Sequence, residues 1–346
     1  MTAVQGAAPF AFGEAFTNHM VVSSWRDGSW EPPRLRPYGP LPMDPAMAGL
    51  HYGQVVFEGL KGHRLVNGGL GVFRPLEHAR RFQRSARRLV MPEFPADLFV
   101  GAVEDLVRED GPGLPDDPAL SLYLRPVLFA SEASLALRPA RAYTFVLLAF
   151  VTGAFFSDRT DPVRIWVSRD HVRAAPLGTG EVKCAGNYAA SFLAQQEAAA
   201  QGCSQVLWLD PVERTWVEEM GGMNVFFVHG TGEAAEVVTP ARSGTILAGV
   251  TRDSVISLAT RRGLRVREER IALEDLRERC LAGDVTEAFA CGTAAVISPI
   301  GGFCDAGETW TVGDGRQGPV TKELRDELVS VHRGLSPDEE GWLHRL

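Results

Sequence analysis

The sequence predicts a two-domain protein of mixed α/β class, closer to an α+β arrangement than to a regular doubly wound sheet. Three observations predict it. The chain has 346 residues, more than one simple core accommodates. Its second half alternates helix-like with strand-like stretches. Those strands are short and broken by glycine pairs such as Gly221-Gly222, which argues against a regular parallel sheet.

The first third mixes strand-like runs, such as residues 20–25, with proline-rich turns over 31–45. Pro75 is tolerated at a helix start, so a helix is expected over 76–87. A second helix is expected over 96–109 and a buried strand over 142–151. Turn-forming residues gather over 153–162. They suggest a small N-terminal α/β domain over 1–156, a linker over 157–169 and a larger C-terminal domain over 170–346. In that second part a helix is expected over 188–201, stopped by Gly202. A strand at 205–209 follows, and two more, at 214–219 and 223–228, flank the glycine pair. A helix over 251–261 ends before Gly263 and leads into a strand at 264–268. Another strand is expected at 285–289, and residues 321–329 form an amphipathic helix pattern.

Bulk composition excludes several classes. Hydrophobic residues make up 45% and charged residues 23%, as in soluble globular chains. A net charge of -8 argues against nucleic-acid binding. No basic region followed by an apolar run opens the chain, so no signal peptide is expected. The longest near-apolar run, 143–156, is too short to span a bilayer as a helix. Cys184, Cys203, Cys280, Cys291 and Cys304 show neither paired nor metal-ligand spacing, so no metal site is expected. Reduced thiols in the cytoplasm fit best.

Chemistry enters through the lysines. Of 35 basic side chains only Lys61, Lys183 and Lys322 are lysine; 32 are arginine. Arginine keeps its proton and cannot form an imine, whereas a desolvated lysine can. Lys322 lies on the polar face of the 321–329 pattern and reads as solvated. Lys61 closes Phe57-Glu58-Gly59-Leu60-Lys61 and reads as structural or exposed. Lys183 sits in Gly178-Thr179-Gly180-Glu181-Val182-Lys183-Cys184-Ala185-Gly186-Asn187-Tyr188, a glycine-rich loop suited to close backbone approach. There a Schiff-base lysine competes with an ordinary loop lysine.

A carbonyl cofactor such as pyridoxal phosphate needs four protein contributions: a lysine, an anion site, an acid at the ring nitrogen and a donor to the ring oxygen. Glu218-Glu219 precedes the glycine pair. Strand neighbours face opposite ways, so one carboxylate is expected to point into a site and the other away. Gly249-Val250-Thr251 opens a helix, whose free N–H groups attract an anion; an ordinary threonine cap is the alternative. Gly292-Thr293-Ala294 offers a second donor turn. No Walker motif and no dinucleotide fingerprint is present. Arginines 74–88 read mostly as a solvated helix face.

These segments, in order, resemble the branched-chain amino acid aminotransferases, within fold-type IV (class IV) of the pyridoxal phosphate enzymes. The match runs from about Phe12 to Trp342. It is carried by Phe12-Gly13, residues 16–20, Leu50-His51-Tyr52, residues 57–61, Phe73-Arg74-Pro75, Arg81 with Arg84-Ser85-Ala86, and residues 121–126. It continues through Lys183 with Gly186-Asn187-Tyr188, then 205–209, 219–224, 247–252 and 292–294. The resemblance implies a two-domain enzyme with its active site at the domain interface, the larger domain binding pyridoxal 5'-phosphate. It implies Lys183 as the imine lysine, Tyr188 as donor to the ring oxygen and Glu219 as the acid at the pyridine nitrogen. It implies Arg81, Val250, Thr251 and Thr293 at the phosphate. Phe12, Tyr52, Phe57, Tyr123 and Phe155 are implied as walls around an aliphatic side chain. Arg125 is implied as receiver of the distal carboxylate of glutamate, and Thr293 with Ala294 as binders of the substrate α-carboxylate.

Three departures stand out. Gly222 replaces a threonine found in one branch, and Phe155 a tyrosine found in many members. The Cys-x-x-Cys pair of animal members has become Ala295 and Ser298. The implied reaction is transfer of the amino group of leucine, isoleucine or valine to 2-oxoglutarate, giving glutamate, by a homodimer. The nearest rivals are a D-amino acid aminotransferase, an aminodeoxychorismate lyase and a specialised transaminase for another aliphatic or aromatic amino acid. Residues 50–52 and 123–126 disfavour the first two. A cofactor-free binding protein of the same fold is disfavoured by the intact Lys183, Tyr188, Glu219 and Arg81.

Overall fold

The computed structural model describes residues 2–3, 10–153 and 162–346. The chain divides into two compact units. One comprises Met1–Phe155, Val182–Gly186 and Ser330–Leu346; the other comprises Phe156–Glu181 and Asn187–Val329. Two segments numbered within the expected C-terminal domain therefore belong to the first unit. Strand Leu343–Arg345 is held there by antiparallel pairing with Leu70–Phe73, and the Lys183 segment by the bridge Val56↔Cys184. Most of the expected boundary at 153–162 lies outside the described residues.

The first unit is built on an 11-stranded sheet among the described residues. Its centre is Ser121–Ala130, which pairs along its full length with Tyr143–Thr152 and, on its other side, with Val55–Phe57 and Leu60–Arg64. Helices Pro75–Arg88 and Ala96–Asp110 cover the core. Ala79, Phe82 and Ala86 recur at helical spacing and are buried, as an inward stripe requires. Phe94 stacks on Phe145 at 4.0 Å. Both helices and the 143–152 strand lie where the sequence pattern put them.

The second unit has a 9-stranded mixed sheet. Val163–Val167 runs parallel to Gln205–Leu209 and to Val296–Asp305, while most other pairings are antiparallel. A further pairing of Val217–Met220 with Met223–His229 closes six strands into a ring. Helices Val250–Arg261 and Leu273–Ala282 lie on strands of this sheet.

The single helix expected over 188–201 is two, Ala185–Ala189 and Phe192–Ala200. Ser191 explains the break: its hydroxyl and its amide both donate to the Tyr188 carbonyl, at 2.7 and 3.0 Å. That local bond competes with the helical ladder. The strand expected over 214–219 starts only at Val217. The Asp210 carboxylate gathers the amides of Val212, Glu213, Thr215 and Trp216 into a turn first.

Candidate active site

In the first unit, Lys183 is clamped by its backbone. Its amide donates to Ser85 Oγ at 3.0 Å, and its carbonyl accepts from the Phe57 amide at 3.0 Å. Its Nζ stands 4.9 Å from the centre of the Phe57 ring. Arg125, from the central strand, lies over the same ring at 5.1 Å and over Tyr123 at 5.5 Å. Its Nε is buried without a hydrogen-bond partner among the described residues. Tyr123 stacks on Phe150 at 5.0 Å and meets Phe12 edge-on at 4.8 Å. Gly59 makes room for it: a Cβ there would sit 1.9 Å from the Tyr123 hydroxyl oxygen. Phe12, Phe57, Tyr123, Arg125 and Lys183 thus form one connected set of contacts, an aromatic wall carrying two cations.

Arg81 departs from the solvated face suggested for residues 74–88. It is buried, and its guanidinium forks onto the buried Glu58 carboxylate at 2.6 Å from Nε and 2.7 Å from Nη2. Its helix neighbours Arg80, Arg84, Arg87 and Arg88 are exposed. Lys61 is buried, not exposed, while Lys322 is exposed and pairs with Asp326 at 2.7 Å. Tyr52 stands apart. It is 48% exposed, and its hydroxyl donates to the Leu135 carbonyl at 2.7 Å. Phe155 lies outside the described residues.

In the second unit, Glu219 comes from strand Val217–Met220 and is buried. Its Oε1 accepts from the Leu247 amide and, at 3.2 Å, from Arg173 Nη2. Both partners donate, so this oxygen is held as an acceptor. Glu218, its strand neighbour, is buried as well, on other partners. Its Oε1 accepts from the Thr245 and Ser243 hydroxyls. Burial pushes its carboxyl up from the usual range, with those hydroxyls opposing.

Tyr188 borders the glycine pair: a Cβ on Gly222 would stand 3.3 Å from its ring. Val250 and Thr251, both buried, open a 12-residue helix whose free N–H groups favour an anion. The Asn224 side chain lies so close to Gly249 that a Cβ there would come within 2.0 Å of Oδ1. Asn224 also donates to the Leu247 carbonyl at 3.1 Å. Glu219 and Asn224 together therefore brace the loop that leads into this helix. Thr293 and Ala294 form the turn joining Val285–Gly292 to Val296–Asp305. The registers Glu219↔Asn224 and Asn224↔Cys291 place that turn just beyond the same row of strands.

Sequence reasoning passed over Glu58, His78 and Arg173 and gave Asn224 no role. Arg173 is buried and donates to the carbonyls of Gly180 and Thr245, at 2.5 and 2.7 Å, as well as to Glu219. One arginine among 32 carries no signal of this kind. The donor sets suit pyridoxal phosphate: an amine on a clamped backbone, a buried acceptor carboxylate, a phenol and a helix start with a buried hydroxyl.

The model of the amino-transferase class IV family matches residues 55–302. A probable branched-chain-amino-acid aminotransferase of Streptomyces coelicolor is 48% identical over 97% of this chain and 92% of its own length. Branched-chain-amino-acid transaminase 1 of Bacillus subtilis is 42% identical over 96% and 92%. Among solved structures, the Escherichia coli branched-chain amino acid aminotransferase superposes with a TM-score of 0.79 at 27% identity, covering 95% of this chain and 99% of that one. The T.th. branched-chain amino acid aminotransferase with pyridoxamine 5'-phosphate gives 0.74 at 29% identity, covering 93% and 97%. The chain belongs to the class IV aminotransferases and has their fold. Within that class, its relatives are the branched-chain-amino-acid aminotransferases.

Two expected results arise here. Glu219→Ala should lower transamination at least about tenfold more than Glu218→Ala, since a lost charge-assisted bond at a working group costs more than a lost structural one. Glu218→Ala should act mainly on stability, because it removes the acceptor that the Thr245 and Ser243 hydroxyls share. Rates normalised to cofactor content, with thermal melts, test this; equal losses of normalised rate would refute the assignment to Glu219. Second, mild peroxide should cause no loss of activity that dithiothreitol restores. Ala295 and Ser298 cannot form a disulfide, and the buried Cys291 thiol is pushed up in pKa by its burial, so little reactive thiolate forms. A peroxide loss reversed by dithiothreitol counts against this.

Proposed function

We propose that this chain transfers the amino group of leucine, isoleucine or valine to 2-oxoglutarate, reversibly, with pyridoxal 5'-phosphate as cofactor. One observation carries the reading: the buried Nε of Arg125, which has no hydrogen-bond partner among the described residues, lies within an aromatic wall beside Lys183. An apolar wall suits a branched aliphatic side chain. A single arginine set into it suits the distal carboxylate of 2-oxoglutarate, which would otherwise be buried without a partner. The branched-chain aminotransferase relatives support the same substrates.

Pyridoxal phosphate, when bound, supplies an electron-withdrawing ring that stabilises charge at the substrate α-carbon. Lys183 would hold the cofactor, and its Nζ would take and return the substrate α-carbon proton. Glu219 would meet the ring nitrogen as an acceptor, and Tyr188 would donate to the ring oxygen. Arg81, Val250, Thr251 and Thr293 would hold the phosphate. Thr293 and Ala294 would bind the α-carboxylate, while Phe57 and Tyr123 would exclude water from the side chain. An amino-donor panel with 2-oxoglutarate, run with both enantiomers, tests the reading. Preference for a D-amino acid, or for a donor outside the branched aliphatic set, would overturn it.

A homodimer in the cytoplasm completes the proposal. Leu50 and Tyr52 on one helix and the neighbouring Leu135 and Leu137 are exposed apolar side chains, suited to cover by a second copy. All five cysteines are free and buried, in keeping with a reducing compartment. Light scattering on the purified chain gives the oligomeric state; a monomer at working concentration would exclude the dimer.

A further inference from the structure

The Glu58 carboxylate has 0% exposure. Its oxygens accept from Arg81 Nε and Nη2 at 2.6 and 2.7 Å, from His78 Nδ1 at 2.9 Å and from the Gly59 amide at 3.2 Å. A buried carboxylate resists ionisation. Here the Arg81 charge and fork, with the His78 bond, overcome that resistance and hold Glu58 well below the usual carboxylate range. For His78, burial outweighs the Glu58 bond, and the charges of Arg81 and Lys183 push the same way; its pKa is lowered. A neutral imidazole bonded to an ionised carboxylate donates from Nδ1.

His78, Arg81 and Ser85 recur at i, i+3 and i+7 of the Pro75–Arg88 helix and are all buried. The first two grip Glu58, and the third takes the amide of Lys183. Glu58 itself follows Phe57, whose amide bonds the Lys183 carbonyl. One helix face thus fixes both the lysine segment and the arginine.

We propose that Glu58 is a positioning residue: its fork onto the Nε–Nη2 edge of Arg81 fixes which edge of the guanidinium meets the cofactor phosphate. A guanidinium on a long, rotatable stem loses much of its bidentate value unless its plane is held. The ionised carboxylate also matches the guanidinium charge within the buried site. The proposal rests on the assignment of Arg81 to the phosphate, and its test separates the two.

The full-length chain, freed of cofactor, is titrated with pyridoxal 5'-phosphate and with pyridoxal, which lacks the phosphate, following absorbance on binding. Arg81→Ala should weaken the phosphorylated ligand and leave pyridoxal within about twofold. Glu58→Gln should do the same, by about tenfold, the scale of a lost bond to a charged group. Added to Arg81→Ala, it should cost little more, because it acts through that side chain. If Arg81→Ala weakens both ligands equally, the phosphate assignment fails. If Arg81→Ala is selective but Glu58→Gln weakens both ligands equally, or neither, the positioning role fails while the assignment stands. Should Glu58→Gln not fold, Glu58→Asp, which keeps the charge but retracts it, is read the same way: a selective loss supports the role and an equal loss overturns it.

Discussion

Lys183→Ala and Lys183→Arg both abolish steady-state transamination, a loss expected to reach about 10⁴-fold from proton transfer alone. Arginine preserves a cation above the Phe57 ring but cannot form an imine. The backbone clamp is indifferent to the side chain, since Ser85 and Phe57 bond only the amide and carbonyl of residue 183. Both variants should therefore fold, and their defect should be chemical. Borohydride reduction of the parent chain, followed by peptide mapping, should find the cofactor on Lys183. Label on Lys61 or Lys322, with Lys183 bare, would overturn the assignment.

Arg125→Met raises KM for 2-oxoglutarate strongly and changes the leucine half-reaction much less. Removing one partner of a buried charge pair costs roughly 3–5 kcal/mol, or about 150- to 4000-fold. Leucine carries no distal charge and gains mainly from apolar burial, about 1.5–3 kcal/mol for a fully buried side chain. Methionine retains most of that apolar surface against Phe57 and Tyr123. Single-turnover spectroscopy, following the cofactor absorbance first with leucine and then with 2-oxoglutarate, separates the two halves. Equal weakening of both would mean that Arg125 serves the shared α-carboxylate or the scaffold.

How far the sequence carries can be seen in particular residues. Helix Pro75–Arg88 and strand Gln205–Leu209 were legible because apolar periodicity and end signals agree there with the packing. The break at Ser191 was not legible, since a serine bonding back to a carbonyl leaves no mark on composition. Lys183 stood out because lysine is rare in this chain, and the ordered motifs carried the other site residues. Glu58 was quoted within its motif but given no role. Its partners His78 and Arg81 lie 20 and 23 positions away, and that ion pair exists only through the fold. Likewise, alternation along a strand separates Glu218 from Glu219 but does not say what meets it. The turn carrying Ser243 and Thr245 covers it, a tertiary contact that period-two reasoning has no means to register.

The pairing of Leu343–Arg345 with Leu70–Phe73 bears on how the chain is made. Residues 70–73 leave the ribosome well before residues 343–345. In that interval the 70–73 edge faces water with its amides and carbonyls unmatched, the kind of edge that recruits stray strands. Long-range pairing of this sort is slow to form and leaves intermediates open to association. The first unit therefore begins to form early, yet its sheet stays open at this edge until residues 343–345 have been made.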